Sequence, residues 1–261
     1  MDFPLSSQLV NRLDYVDETG STNTDLISAA SDRQDLSVLV AGFQSAGRGR
    51  STGRQWLAPA GSSLAISVLL RPAKSAALTP NAFGWLPLLA GLAMARAVGS
   101  FIPAEKVAVK WPNDVLVAEQ KIAGILSELL PDLSGVVIGA GINLTQSKDD
   151  LPVEAATSLA IEGATDFSSD QVLAAYLGEL RALYARFVEF GGNAEASGLR
   201  AEVAERCGSI GRRVRAVMPG DQELTGVGVG LDETGRILIQ PDGQRELFAV
   251  SAGDIIHLRH N

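Results

Sequence analysis

Polar and apolar residues alternate over residues 12–16, the period of a strand with one buried face. The polar run Glu18-Thr-Gly-Ser-Thr-Asn23 behind it predicts a turn that opens a short helix ending near residue 30, with Ser21, Thr22 or Asn23 as its cap. Apolar runs near residues 38–43 and 64–70 read as two further strands on either side of a Gly- and Arg-rich segment. Residues 81–98 are apolar almost all round a helical wheel, which predicts a buried helix. Residues 107–110, 115–117, 122–129 and 135–142 read as an antiparallel meander, its first two strands joined by Trp111-Pro-Asn-Asp114. Over residues 168–189, Val172, Leu173, Tyr176, Leu177, Leu180, Leu183, Tyr184 and Phe187 recur at helical spacing behind a capping box of Ser168 and Gln171. That stripe is core rather than a cofactor site. Past Cys207 the pattern becomes short β-rich runs broken by Pro219-Gly220, Glu233-Thr-Gly235 and Pro241-Asp-Gly243, as in a small β-barrel of roughly fifty residues. The expected division is therefore 1–207 and 208–261.

A chain of 261 residues with 46% apolar and 20% charged residues can bury one large core, or one large and one small. No signal-like N-terminus or bilayer-length apolar run is read in it, so a cytoplasmic protein that binds no membrane is expected. Cys207 is the only cysteine, which excludes an internal disulfide and a cysteine-based zinc site and leaves the role of a small buried hydrophobe. The only histidines, His257 and His260, sit at the C-terminus; a His-based triad is not expected, His257 being placed on a last strand and His260 in a frayed tail. A net charge of −8 argues against a protein that coats nucleic acid.

Against that acidic background, Gln44-Ser-Ala-Gly-Arg-Gly-Arg-Ser-Thr-Gly-Arg-Gln-Trp56 sets three arginines among three glycines. Glycine lets backbone N–H groups approach a ligand and each guanidinium offers a fixed fork of donors, so the segment suits an anion. A plain hairpin tip or non-specific nucleic-acid binding are the competing readings of the segment alone. It lacks the Gly-Lys-Ser/Thr of a nucleotide P-loop. Further polar groups are each weak signals: Ser21-Thr-Asn23 at a helix start, where free N–H groups favour an anion or polar ligand, Lys110-Trp-Pro-Asn-Asp114, Lys121 at a strand start, and Gly139-Ala-Gly-Ile-Asn143, whose glycines permit close approach.

Taken in order, these pieces are specific. With Glu18-Thr-Gly-Ser-Thr-Asn23, Gln44, Gly47-Arg-Gly-Arg50, Gly53-Arg-Gln-Trp56, Lys110-Trp-Pro-Asn-Asp114, Lys121-Ile-Ala-Gly-Ile-Leu126, Gly139-Ala-Gly-Ile-Asn-Leu144 and Ala156-Thr-Ser-Leu159, the chain resembles a biotin protein ligase over residues 14–258. The resemblance implies an α+β fold: a mixed, largely antiparallel sheet flanked by helices, like the class II aminoacyl-tRNA synthetases, followed by a small Src-homology-3-like barrel. It implies that biotin and ATP form biotinyl-5′-AMP and that the biotinyl group passes to a lysine of the biotin carboxyl carrier domain of an acyl-CoA carboxylase. On this resemblance Ser21, Thr22, Asn23, Gln44, Gly47, Arg48, Arg50, Lys121 and Gly124 surround biotin. Arg50, Arg54, Trp56, Lys110, Asn113 and Asn143 surround the nucleotide, with Trp56 stacked on adenine. Lys121, Arg48 and Arg50 are the catalytic cations, and Mg²⁺ arrives with the triphosphate. No protein ligand is assigned to the metal; Asp114 is favoured as a turn residue. Two residues, Ser51 and Thr52, stand where the family commonly has one, which loosens the assignments of Arg50 and Arg54. Residues 45–61 are expected to order over a bound ligand. The rival activities are a lipoate or octanoate ligase, disfavoured by the Gly-Arg-Gly-Arg loop, a non-catalytic biotin-binding module, disfavoured by Lys121, and an operator-binding regulator. The seventeen residues before Glu18 are too few for a helix-turn-helix domain, so no DNA binding is expected.

Overall fold

The computed structural model describes residues 1–50, 53–72, 78, 80–220 and 222–258; Ser51, Thr52 and the His260 tail lie outside them. Strand β1 (Arg12–Thr19) follows a short helix α1 (Pro4–Ser7) and pairs in parallel with β2 (Ser37–Gln44), the two being joined by α2 (Thr22–Ser28). Among the described residues the other strands of this sheet pair antiparallel: β2 with β3 (Ser63–Leu70), β3 with β7 (Val136–Asn143), and the meander β4 (Val107–Lys110), β5 (Asp114–Val117), β6 (Gln120–Leu129), β7. Among the described residues this gives a seven-stranded mixed sheet in the order β1-β2-β3-β7-β6-β5-β4.

The two faces of the sheet are covered differently. Leu64, Ile66, Val68 and Leu70 of β3, with Ile138, Ala140 and Ile142 of β7, belong to the main core that includes α3 (Leu86–Gly99) and α4 (Ser169–Glu189). Alternate residues point the other way. There Leu69 and Val137 pack on Leu26 of α2 and on Ala30 in the 3-10 turn after it, and beside them the sheet carries small residues in place of large ones. The predicted stripe of α4 is buried throughout, and its capping box is formed, Gln171 N donating to Ser168 Oγ at 3.2 Å and Ser168 N to Gln171 Oε1 at 2.8 Å. The apolar segment 81–98 departs from a single helix: Pro80–Trp85 is a 3-10 turn and the α-helix begins at Leu86, where Pro87 suits a first turn that needs no N–H. The stretch Ala82–Gly99 is long and apolar enough to cross a membrane, but 72% of it is buried inside the fold, as a core helix would be.

A further helix, α5 (Leu199–Arg206), carries too many charges to show an apolar stripe and was not legible in the pattern. After it, Cys207 forms a parallel bridge to Val109 on edge strand β4, and the chain enters a second, antiparallel sheet. Its strands are β8 (Arg213–Met218), β9 (Gln222–Leu231), β10 (Ile237–Pro241), β11 (Phe248–Val250) and β12 (Asp254–His257), in the order β11-β10-β9-β8-β12. Val214, Ala216, Ile237, Ile239 and Ile255 join the same apolar cluster as the large sheet. Two indoles fasten the parts together, Trp85 Nε1 donating to Glu233 O at 2.8 Å and Trp111 Nε1 to Gly235 O at 3.0 Å.

Candidate active site

The register across the second face explains the cavity. Ser67, Gly139 and Leu126 stand in one row across β3, β7 and β6, and Ala65, Gly141, Gly124 and Asp114 in another across β3, β7, β6 and β5. Glycines in adjacent strands leave a trough. It is already filled at two points: a methyl on Gly139 would overlap the amide of Asn23, and one on Gly141 would overlap the indole of Trp56. The cavity left above has a volume of about 400 Å³, within the range of roughly 300–1,000 Å³ for small-molecule sites.

At one end the walls are neutral, polar and buried. Thr22 N donates to Gln44 Oε1 at 2.8 Å and Thr22 Oγ1 to the same oxygen at 3.0 Å. Gln44 thus takes up the helix-terminal N–H that the sequence offered to a ligand, and no Ser21 side-chain cap forms. Ser67 Oγ lies 2.8 Å from Thr22 Oγ1 and 2.6 Å from Asn23 Oδ1, while Asn23 Nδ2 donates to Glu128 Oε2 at 2.7 Å and Leu126 O at 3.2 Å. Both N–H bonds of Asn23 are spent, so towards a ligand it can only accept. Gln44, its oxygen taken, is left with Nε2 as a donor.

At the other end the walls are cationic. The described arms of the Arg-Gly loop close as a hairpin, Gly49 N donating to Arg54 O at 2.8 Å and Trp56 N to Gly47 O at 3.0 Å. Arg48 reaches back towards the first end: its Nη2 meets Glu128 Oε2, the oxygen that also accepts from Asn23, at 3.0 Å, and Thr24 Oγ1 at 3.1 Å. Arg50 and Arg54 meet Asp254 on β12, at 2.7 and 2.6 Å. Lys121 Nζ pairs with Asp114 Oδ1 at 2.6 Å, which gives Asp114 an ion pair in addition to its place at the turn. Asn113 ties the turn to β6 by donating Nδ2 to Ile125 O at 2.8 Å. Among the described residues Lys110 lines the cavity without forming an ion pair.

The structure thus brings Ser21, Thr22, Asn23, Gln44, Arg48, Arg50, Arg54, Trp56, Lys110, Asn113, Lys121 and Gly124 to one cavity. Gly47 sits behind it, where a side chain would strike the Trp56 carbonyl. Asn143 is elsewhere: buried, it donates to Thr157 O at 2.9 Å and accepts from Gln146 Nε2 at 2.9 Å, tying the end of β7 to the loop that follows. Ser67, Glu128 and Asp254 are the residues that sequence reasoning missed. Ser67 lies inside an apolar strand, and only the strand register puts it against Thr22 and Asn23. His257 also surprises: its Nε2 lies 3.0 Å from Ser209 Oγ and its Nδ1 3.1 Å from Glu119 Oε2. These are triad distances, but Ser209 is fully buried and none of the three lines the cavity, so the cluster fastens the second sheet to the β5–β6 turn.

Residues 15–143 match the family described as "Biotin/lipoate A/B protein ligase family", and residues 209–258 match "Biotin protein ligase C terminal domain". Over 252 residues the chain is 38% identical to the biotin--[acetyl-CoA-carboxylase] ligase of Mycobacterium tuberculosis, covering 95% of this chain and 90% of that one. The chain belongs to the biotin protein ligase family. It is also similar to the bifunctional ligase/repressor of Escherichia coli, at 32% identity over 85% of this chain and 67% of that protein. Among solved structures, the biotin protein ligase of Aquifex aeolicus in complex with biotin and ATP superposes with a TM-score of 0.77 at 29% identity, covering 96% of this chain and 100% of that one.

Proposed function

We propose that this protein joins biotin and ATP into biotinyl-5′-AMP, releasing pyrophosphate, and then transfers the biotinyl group to one lysine of a biotin carboxyl carrier domain in the cytoplasm. The observation that carries this reading is the two-ended cavity: a buried neutral network at one end, arginines at the other, and the Lys121–Asp114 pair between them.

The neutral end suits the ureido ring of biotin, whose carbonyl oxygen can accept from Gln44 Nε2 and whose N–H groups can donate to Asn23 Oδ1 or the hydroxyls beside it. The carboxylate of biotin then points to Lys121. Bringing that carboxylate to the α-phosphate sets two anions together, and fixed cations in a site with little water are what lower the barrier. In the first step a carboxylate oxygen bonds to the α-phosphorus and the bond to the β-phosphate oxygen breaks. In the second, the carrier's amine bonds to the acyl carbon and AMP leaves. An amine of pKa about 10.4 costs roughly 4–5 kcal/mol to deprotonate at pH 7, so the anhydride must be kept from water until the carrier docks. Arg50, Arg54 and Lys110 serve the phosphates, while Arg48, sharing Glu128 with Asn23, stands at the biotin side. Trp56 offers its ring to the adenine.

Mg²⁺ fits as a passenger of the triphosphate, because the two carboxylates that line the cavity, Asp114 and Asp254, are each held by a cation. When bound it would draw charge from the phosphate oxygens. The test is pyrophosphate release with and without biotin, together with the mass of a carrier domain after reaction. Release should require biotin and the carrier should gain one biotinyl group on a lysine. Equal release with lipoate would move the protein to the lipoate ligases.

A further inference from the structure

Asp254 belongs to the second sheet, yet its carboxylate closes the nucleotide end of the cavity. Oδ1 accepts from Arg50 Nη2 at 2.7 Å and Oδ2 from Arg54 Nη2 at 2.6 Å, and Arg50 also donates to Gly253 O. Gly253 has φ of 143°, and a Cβ there would lie 2.5 Å from Val217 O, so only glycine brings the start of β12 this close. Two guanidiniums side by side repel one another; a carboxylate using one oxygen for each removes most of that repulsion. Each arginine spends only Nη2 on this contact, and among the described residues no other acceptor takes the remaining Nε and Nη1 donors.

We propose that Asp254 is a positioning residue for polyphosphate. It holds Arg50 and Arg54 together at the mouth of the cavity while leaving their other donors for phosphate oxygens, so that the second sheet completes the nucleotide end of the site. The alternative, that its carboxylate occupies the phosphate's seat and must be displaced, predicts the opposite sign. The inference rests on the ligase reading only in taking the arginines to meet a polyphosphate.

The experiment is a titration of the full chain with inorganic tripolyphosphate at low ionic strength, which reads anion binding without any biotin chemistry. D254N should weaken binding about tenfold, since two long side chains lose a pre-set orientation. D254E, which keeps the charge on a longer stem, should recover most of it. In an Arg50→Ala/Arg54→Ala background, D254N should have no further effect, because the residues act as one unit. Wild type that does not bind tripolyphosphate, a D254N that binds as tightly or more tightly, a D254E as weak as D254N, or full additivity with the arginine variants would each overturn the proposal. In turnover, D254N should raise KM for ATP about tenfold and leave KM for biotin and transfer from preformed biotinyl-AMP unchanged; equal losses in all three would mean a merely structural role. A wild type without biotin-dependent turnover would sink the ligase reading and leave the tripolyphosphate result standing.

Discussion

At the end of the cavity built by α2 and β3, Ser67, Thr22 and Asn23 are 0%, 2% and 4% exposed and are tied to one another and to Gln44, Leu126 and Glu128 by hydrogen bonds. At the end built by the loop and β12, the Arg50 and Arg54 side chains are 29% and 64% exposed and are held by one carboxylate from β12. The first end is set by burial. An unpaired polar atom there costs about 1–3 kcal/mol, which makes it a selective seat for one neutral pattern of donors and acceptors. The second end is set by charge in contact with water, where each ion pair is worth about 0–1 kcal/mol and rearranges cheaply when a phosphate arrives. One end discriminates and the other adapts.

The largest effect expected is at the junction of the two. Lys121→Ala removes the cation between them and should slow adenylation about 10²- to 10³-fold, with a smaller effect on transfer from preformed biotinyl-AMP. A normal adenylation rate in that variant would show that the two ends meet somewhere other than at Lys121.

Next come changes at the buried end. Gly139→Ala would drive a methyl into the Asn23 amide, costing about 1–3 kcal/mol of overpacking and weakening biotin binding, whereas Gly230→Ala on β9, with nothing within 4 Å, should do neither. Ser67→Ala removes the one hydroxyl within hydrogen-bond distance of both Thr22 Oγ1 and Asn23 Oδ1 and should weaken biotin by roughly 5- to 150-fold, from about 1–3 kcal/mol, at any salt concentration. Calorimetric titration with biotin checks both. Arg54→Ala, at the exposed end, should weaken ATP only a few-fold, and that loss should shrink as salt rises towards 1 M, where the screening length is about 3 Å. Salt dependence of biotin affinity in the Ser67 variant would erase the distinction between the ends.

The contrast also decides what could be read from the chain. Arginines among glycines announce an anion without any knowledge of the fold, and the lone lysine heading β6 stands out in the same way. Their counter-ions do not. Glu128 and Asp254 look like ordinary charges on strands, and only the sheet register and the docking of the second sheet bring them within reach of residues 80 and about 200 positions away in sequence. Asn143 shows the converse: the motif marks it, but it lies outside the cavity lining, one N–H donating to Thr157 O and its oxygen accepting from Gln146. The strands and the α4 stripe were legible because period and burial coincide there. The 3-10 start before Leu86 and the charged helix α5 were hidden because composition alone carries neither.

The smallest expected effect concerns how firmly the second sheet, and so the adaptable end, is held. His257 is largely buried, and that burial pushes its imidazole below the ordinary value of 6.5; the Glu119 hydrogen bond opposes the shift, while the charges of Lys110 and Arg212 add to it. The folded protein therefore prefers the neutral ring, and as pH falls through 6.5 the unfolded chain takes up a proton before the folded one does. Stability from this group is fully present above 6.5 and declines between 6.5 and the lowered folded value. For Glu119, burial acts to raise the carboxyl, but the bonds from His257 and Arg212 outweigh it and hold it below 4.5, so its own contribution is lost only in more acid solution. Thermal melting at pH 8 and pH 5.5 separates the two. Wild type should lose on the order of a degree or two more than His257→Asn over that interval, since asparagine cannot titrate. Glu119→Gln, which removes the carboxylate charge that favours the charged ring, should steepen the fall. Identical pH profiles for wild type and His257→Asn would leave the cluster a neutral fastening, with no bearing on how the second sheet is held over the arginines.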